Sequence, residues 1–272
     1  VAAATRSGDR WLLKTGGGQT LESTALVMAT GIIANPKVPT LRGRERYRGR
    51  LLHSVEYKRP NEFVGKKVLI VGVGNSGGEI GAELAHAGAD VTVAVRSGAN
   101  VVPLALGGVP IQYLAYVMRR LPRGAREFIV ERVRRVMERR RGPAVLPRPA
   151  HSPLDSIPLI GFHLVDAIRD GLIRVKATGI AELTETGVRF SDGSEESFEV
   201  VILATGFGAA LAPLGDSVRT DAKGFAQRTD RITSADQDNL FFVGHNYDST
   251  GGLSNIRRDA RLVADRLARI KS

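Results

Sequence analysis

Hydrophobic and polar positions along the chain alternate in three differently organised segments. Residues 1–59 open on short alternating runs, pass Trp11, Leu12, Leu13 and Lys14 and a Gly16-Gly17-Gly18 turn, and reach the apolar stretch ALVMA at 25–29. That order predicts a β-meander feeding one buried strand. Residues 60–204 begin with KVLIV at 67–71, continue through glycines into helical periodicity to about residue 87, and return to VTVAV at 91–95. This is a β-α-β order. Pro143, Pro147, Pro149, Pro153 and Pro158 then punctuate a loop-rich crossing. A helix is predicted near 161–169, short strands near 173–175, 182–183 and 188–190, and a second buried strand at 200–204. Residues 205–272 carry NLFFV at 239–243 and a closing helix over 254–270.

Both buried strands end alike, in Met28-Ala29-Thr30-Gly31 and in Leu203-Ala204-Thr205-Gly206. A small-small-Gly exit lets the backbone turn sharply and run close to a ligand or a neighbouring domain. Ala29, Thr30, Gly31, Thr205 and Gly206 are therefore expected to touch a cofactor.

The strand at 67–71 leads directly into Gly72-Val73-Gly74-Asn75-Ser76-Gly77, the G-x-G-x-x-G pattern in its strand-to-helix setting. Gly72 permits the tight turn, Gly74 clears the approach of a pyrophosphate, and Gly77 lets the helix press on the strand. The helix N-terminus offers unpaired N–H groups and a positive dipole end, and Asn75 and Ser76 can add side-chain donors. Cofactor choice is read at the end of the next strand, Val95-Arg96-Ser97. An acidic residue there would hold a ribose 2′-hydroxyl; Arg96, supported by Ser97, suits a 2′-phosphate. Asp90 stands at the wrong end of the strand. The expected dinucleotide is NADPH.

At 272 residues and 43% hydrophobic content the chain can bury a sizeable core. It has no cysteine, which excludes disulfide scaffolds, thiolate metal sites and dithiol redox chemistry and leaves any redox work to a cofactor. Lys plus Arg outnumber Asp plus Glu by 39 to 28, a net +11. Much of the excess lies at 119–141, where Phe128, Ile129, Val133 and Val136 share a helical face among arginines. We read this as a solvated helix, with attraction of an anionic cofactor or docking on a partner as the alternatives, and expect neither a nucleic-acid partner nor an acidic membrane surface. No run of about 18 apolar residues and no signal-peptide pattern occurs, so no integral membrane segment and a cytoplasmic location are expected. The histidines His53, His86, His151, His163 and His245 lack metal-ligand spacing. Oligomeric state is left open.

The stretch Tyr47-Arg48-Gly49-Arg50-Leu51-Leu52-His53-Ser54-Val55-Glu56-Tyr57 resembles the identifying motif of flavin-containing monooxygenases, aromatic-x-G-x-x-x-H-x-x-x-aromatic, with Tyr47 where that family usually has Phe. The distance to the glycine loop, Leu203-Ala204-Thr205-Gly206-Phe207 and the late Gly251-Gly252-Leu253 fit as well, and residues 53–97 are most similar to the YUCCA-type branch and its bacterial relatives. The resemblance implies an α/β fold of two dinucleotide-binding, Rossmann-like domains, the NADPH domain inserted into an FAD domain. On this reading 1–59 is part of the FAD domain, 60–204 the NADPH domain and 205–272 the return to the FAD domain. The resemblance also implies a reaction: NADPH reduces FAD, the flavin captures O₂ as a C4a-hydroperoxide, and one oxygen atom passes to a small organic substrate. Indole-3-pyruvate, amines and sulfides are all open. Gly251, Gly252 and Leu253, opening the last helix, would bring its positive end to the flavin ring, although the same glycines could simply cap that helix. His53 and Tyr57 are carried over as lining the domain junction, structural or direct in role, and no catalytic residue is expected. The family's first G-x-G-x-x-G does not precede Trp11, so the FAD domain is expected to be N-terminally incomplete and the purified chain colourless. An NADPH-dependent flavoprotein reductase or oxidase without oxygenation shares this architecture, and a non-catalytic NADPH-binding fragment shares the glycine loop.

Overall fold

The computed structural model describes residues 1–33, 35–150, 152–246 and 251–270. It divides into two packed units, Val38–Thr205 and a discontinuous unit made of Val1–Lys37 and Gly206–Ser272.

The Val38–Thr205 unit is built on five parallel strands in the order Ile173–Lys176, Asp90–Ala94, Lys67–Val71, Val200–Leu203, Arg50–His53. Parallel strands buried on both faces need apolar residues at nearly every position, which is why KVLIV and VVIL lack polar alternation. One face carries Val68, Ile70, Val91, Val93, Val200 and Ile202 against helices α1 (Asn75–His86), with Leu84, and α4 (His163–Arg169), with Leu164. The opposite face carries Leu69, Ala94, Val201 and Leu203 against Leu183, Val188, Phe190 and Phe198 of an antiparallel three-stranded sheet and its exit. Successive residues of one strand thus serve two cores. Between the Asp90–Ala94 and Ile173–Lys176 strands lie two further helices, α2 (Ile111–Met118) and α3 (Arg123–Arg141).

Two expectations change here. The packing boundary falls at 37/38 and not at 59/60, because the Arg50–His53 strand pairs in parallel register with Val200–Leu203, Leu52 opposite Ile202. Four residues with one strongly apolar pair are too short to announce that strand from the sequence. The helix expected over 119–141 begins at Arg123, since Pro122 supplies no N–H and restricts the residue before it, and a separate helix, Ile111–Met118, precedes it.

In the other unit, Ala3–Ser7, Arg10–Lys14 and Thr20–Ser23 form an antiparallel meander, and Leu26–Met28 pairs in parallel with Leu240–Phe242. Trp11, Met28, Leu214, Leu240 and Phe242 form its main core. Helix α5 (Gly252–Ile270) contributes Val263 to a second cluster with Ile232 and Phe241.

Candidate functional site

The C-terminal ends of adjacent parallel strands gather the predicted residues of the Val38–Thr205 unit. The Val71 and Ala94 positions are in register, Gly72 N–H donates to the Ala94 carbonyl (3.1 Å), and Ala204 N–H donates to that of Val71 (2.9 Å). The glycine loop, the Val95-Arg96-Ser97 exit and Ala204 are therefore neighbours along one sheet edge.

The three loop glycines are required for different reasons. Gly72 has φ +96°, and a Cβ there would stand 2.8 Å from the Ala204 carbonyl oxygen. A Cβ on Gly77 would stand 2.1 Å from the Gly72 carbonyl oxygen, so the helix and loop could not close. Gly74 is unlike both: it has φ −70°, and a Cβ would meet no protein atom within 4 Å. The protein itself gives no reason for glycine at 74; the backbone is bared toward open space. Gly74 is also the N-cap of α1 and provides no side-chain cap, so the first-turn N–H groups face the same opening. That cradle fits a dinucleotide pyrophosphate.

Asn75 has a structural job besides the expected donor. Its Oδ1 accepts the Ile160 N–H (2.8 Å), tying the start of α1 to the Leu159–Ile160 strand, and only its amide nitrogen is left for a phosphate. Gly78, which the G-x-G-x-x-G pattern does not include, is needed as well: a Cβ there would stand 2.6 Å from Leu159 Cδ1. The signal for it is the unbroken Gly77-Gly78 pair in a helix. Ser76 is exposed, as are Arg96 and Ser97 just beyond the Asp90–Ala94 strand. The Arg96 stem runs over Gly179, where a Cβ would stand 3.5 Å from Arg96 Cδ. Asp90, at the opposite end, is paired with Arg174 (3.0 Å).

The motif around Gly49 is a packing device in this unit. Buried Tyr47 donates its hydroxyl to the Phe198 carbonyl (2.8 Å), and its burial holds the phenol pKa up at about 12. A Cβ on Gly49 would stand 2.2 Å from that hydroxyl. His53 ends its strand as a cap: Nδ1 accepts the Val55 N–H (3.2 Å) while Glu56 accepts the His53 N–H (2.7 Å). Tyr57 donates to Glu83 of α1 (2.9 Å), and burial with that carboxylate raises its pKa.

In the other unit, Ala29, Thr30 and Gly31 follow the Leu26–Met28 strand, with Thr30 Oγ1 donating to the Ala210 carbonyl (3.0 Å) and Gly31 at φ +71°. Gly206, at φ +80°, accepts the Lys37 N–H (2.9 Å), and Phe207–Gly208 pairs with Asn35–Pro36. Thr205 closes the Val38–Thr205 unit. Gly251 (φ +88°) and Gly252 precede and open α5, neither with a protein atom within 4 Å of a Cβ, and Leu253 is 84% exposed.

A polar cluster beside these residues is absent from the sequence reading. Asp259, fully buried on α5, accepts from Arg231 Nε (2.5 Å), Gly244 N–H (3.0 Å) and Asn246 Nδ2 (2.9 Å), while Asn255 accepts from Arg231 (2.6 Å). These bonds hold the loop after Leu240–Phe242 against the helix. The available signal was Asn255 and Asp259 standing at i and i+4 before Val263, where an apolar stripe is expected. His245 in that loop is buried with neither ring nitrogen hydrogen-bonded among the described residues, packs tilted against Phe242 with ring centroids 5.1 Å apart, and has its pKa pushed down to about 4 by burial and by Arg228. His151 lies outside the described residues.

Comparison with known proteins agrees with this geometry. Residues 13–228 match the sequence model of the FMO-like family, flavin-binding monooxygenase-like. The chain is 35% identical to indole-3-pyruvate monooxygenase YUCCA1 of Oryza sativa subsp. japonica over 76% of its own length and 52% of that protein. It is 34% identical to flavin-containing monooxygenase 5 of Rattus norvegicus over 71% of its length and 38% of that protein. It thus spans about half the length of such curated relatives, or less. Among solved structures it shares a fold with a flavin-containing monooxygenase from Stenotrophomonas maltophilia (22% identity, TM-score 0.71, 99% of this chain and 70% of that one). The same holds for cyclohexanone monooxygenase from Rhodococcus sp. Phi1 bound to NADP+ (18%, TM-score 0.67, 100% and 65%). Fold, glycine loop and sequence similarity converge: the chain belongs to the flavin-binding monooxygenase-like family.

Proposed function

We propose that this chain is part of an FAD- and NADPH-dependent monooxygenase that places one oxygen atom from O₂ into a small organic substrate. The observation that carries the reading is Gly74, bared to open space at the uncapped N-terminus of α1, with Arg96 at the end of the neighbouring strand. On this reading Val38–Thr205 is the NADPH domain and is inserted in an FAD domain formed by the discontinuous unit. Gly72, Gly74, Ser76, Gly77 and the Asn75 amide nitrogen hold the pyrophosphate by backbone and side-chain donors. Arg96 and Ser97 select the 2′-phosphate. Ala29, Thr30, Gly31, Thr205, Gly206, Gly251, Gly252 and Leu253 lie along the flavin. When bound, FAD supplies the O₂-activating redox chemistry and NADPH the hydride. The protein's own part is to orient both groups and exclude water.

Calorimetric titration tests this without requiring turnover. NADP+ should bind more tightly than NAD+, and Arg96→Ala should cut that preference by about 10-fold or more, the loss of a charge-assisted phosphate contact. Equal affinity of the wild-type protein for both nucleotides would overturn the assignment of Arg96. For the reaction, substrate oxygenation matched one to one with NADPH oxidation supports the monooxygenase. Hydrogen peroxide formed in its place, across amine, sulfide and 2-oxo acid substrates, identifies an oxidase.

A further inference from the structure

The chain leaves the Ile173–Lys176 strand directly beside the exit that carries Arg96. Lys176 stands opposite Ala94 in parallel register, and Val95 N–H donates to the Lys176 carbonyl (2.8 Å). Residues 177–179 therefore emerge from the same sheet edge as Arg96 and Ser97. Gly179 is then pinned to the residue that follows the Gly187–Phe190 strand, because Ser191 N–H donates to its carbonyl (2.8 Å).

Nothing in the backbone at 179 asks for glycine. Its φ lies outside the left-handed region, and it leads straight into the Ile180–Leu183 strand, where the freedom of a glycine is costly to lose. What the missing side chain leaves free is the surface under Arg96. A Cβ at 179 would stand 3.5 and 3.7 Å from Arg96 Cδ and Cγ and 3.4 Å from Ser191 Oγ. A methyl group would just touch both neighbours. A branched pair of γ carbons, each about 1.5 Å further out, would press into the space that the arginine stem fills. Arg96 has no polar restraint in its place: it makes no hydrogen bond or ion pair among the described residues. A long side chain that nothing holds gives up its rotamer freedom only when it binds an anion, and that loss weakens binding.

We propose that Gly179 is a positioning residue for cofactor choice. Its bare backbone, with Ser191 alongside, is the surface on which the Arg96 stem lies, so the guanidinium is aimed at the 2′-phosphate before the nucleotide arrives. This rests on the assignment of Arg96 to that phosphate. Gly179 touches no nucleotide atom on this account; it acts through Arg96, and its effect should vanish when that side chain is removed.

The test is calorimetric titration of NADP+ and NAD+ into the wild type, Gly179→Val, Arg96→Ala and the double variant. Gly179→Val should lower NADP+ affinity by about 3- to 10-fold, the cost of ordering an arginine that is no longer held, with no comparable loss for NAD+. Gly179→Ala, whose methyl group only reaches ordinary contact, should show a smaller loss. In the Arg96→Ala background Gly179→Val should change neither affinity further. Thermal unfolding reports whether the variants fold. Should Gly179→Val not fold, Ser191→Asp, at an exposed position, sets a carboxylate beside the Arg96 stem and should lower NADP+ affinity by a similar factor while sparing NAD+. The proposal alone is overturned, with Arg96 still assigned, by a Gly179→Val protein that keeps the wild-type preference, loses both nucleotides equally, or loses NADP+ as much without Arg96 as with it. An unchanged preference in Ser191→Asp does the same. Equal affinity of the wild type for the two nucleotides, or a preference untouched by Arg96→Ala, removes the Arg96 assignment and the proposal with it.

Discussion

Gly74 and Gly77 stand three residues apart in one motif, yet substitution should separate them completely. Gly74 has an ordinary helical-entry φ and no protein atom near its missing Cβ. Gly74→Ala should change thermal stability by less than about 1 kcal/mol, because the poorer N-cap residue offsets the restriction of the unfolded chain. It should also weaken NADP+ binding by about 10-fold or more, since the methyl group occupies the pyrophosphate approach. At Gly77 the new methyl collides with the Gly72 carbonyl, and Gly77→Ala should cost about 1–3 kcal/mol as backbone shifts to make room. Paired melting curves and titrations check both; a Gly74→Ala protein that melts early but binds normally would refute the division of roles. Gly72 and Gly77 were legible from the residues because strand, loop and helix follow one another in sequence. Gly78 was not, because the Leu159 it accommodates lies far along the chain.

At the scale of elements, α5 and the loop it anchors carry the polar interior of the discontinuous unit. Asp259 balances Arg231 and satisfies two donors of the loop, so Asp259→Ala leaves a half-buried cation and an unpaired N–H. A loss of about 3–5 kcal/mol is expected, measurable by denaturant unfolding. His245 makes this region sensitive to acid. An unfolded histidine takes up its proton near pH 6.5, whereas burial keeps His245 neutral down to about pH 4. The unfolded state therefore binds more protons between those values, and stability falls as pH drops through that window, by up to about 3 kcal/mol. His245→Phe, which keeps an aromatic ring against Phe242, should flatten this part of the stability profile. An unaltered slope between pH 6.5 and 4 would rule His245 out as its source. Helical periodicity found α5 but not the polar part of its inward face, because the partners of Asn255 and Asp259 come from residues 231–246.

For the whole molecule, the chain order predicts how ligand and acid act. The Val38–Thr205 unit has its own cores on both faces of its sheet, separate from those of the discontinuous unit. NADP+ is expected to raise the unfolding transition of the Val38–Thr205 unit, by about 2.7 kcal/mol at a hundredfold excess over Kd. Acidification to pH 5 is expected to act first on the unit holding His245. Hydrogen exchange followed by residue distinguishes the two; protection gained uniformly across both units on adding NADP+ would count against separate responses. The amino-acid sequence by itself determined the α/β class, the glycine loop and its strands, and the family, because each is written in contiguous residues with local periodicity. Tertiary structure alone decided that Arg50–His53 joins the parallel sheet, that the Tyr47 and His53 motif packs and caps, that Asp259 is an interior carboxylate, and that Tyr113, Tyr116, Val117 and Phe128 stay exposed. Each of these depends on which distant segment, or none, comes to lie against a side chain, and no local pattern encodes that.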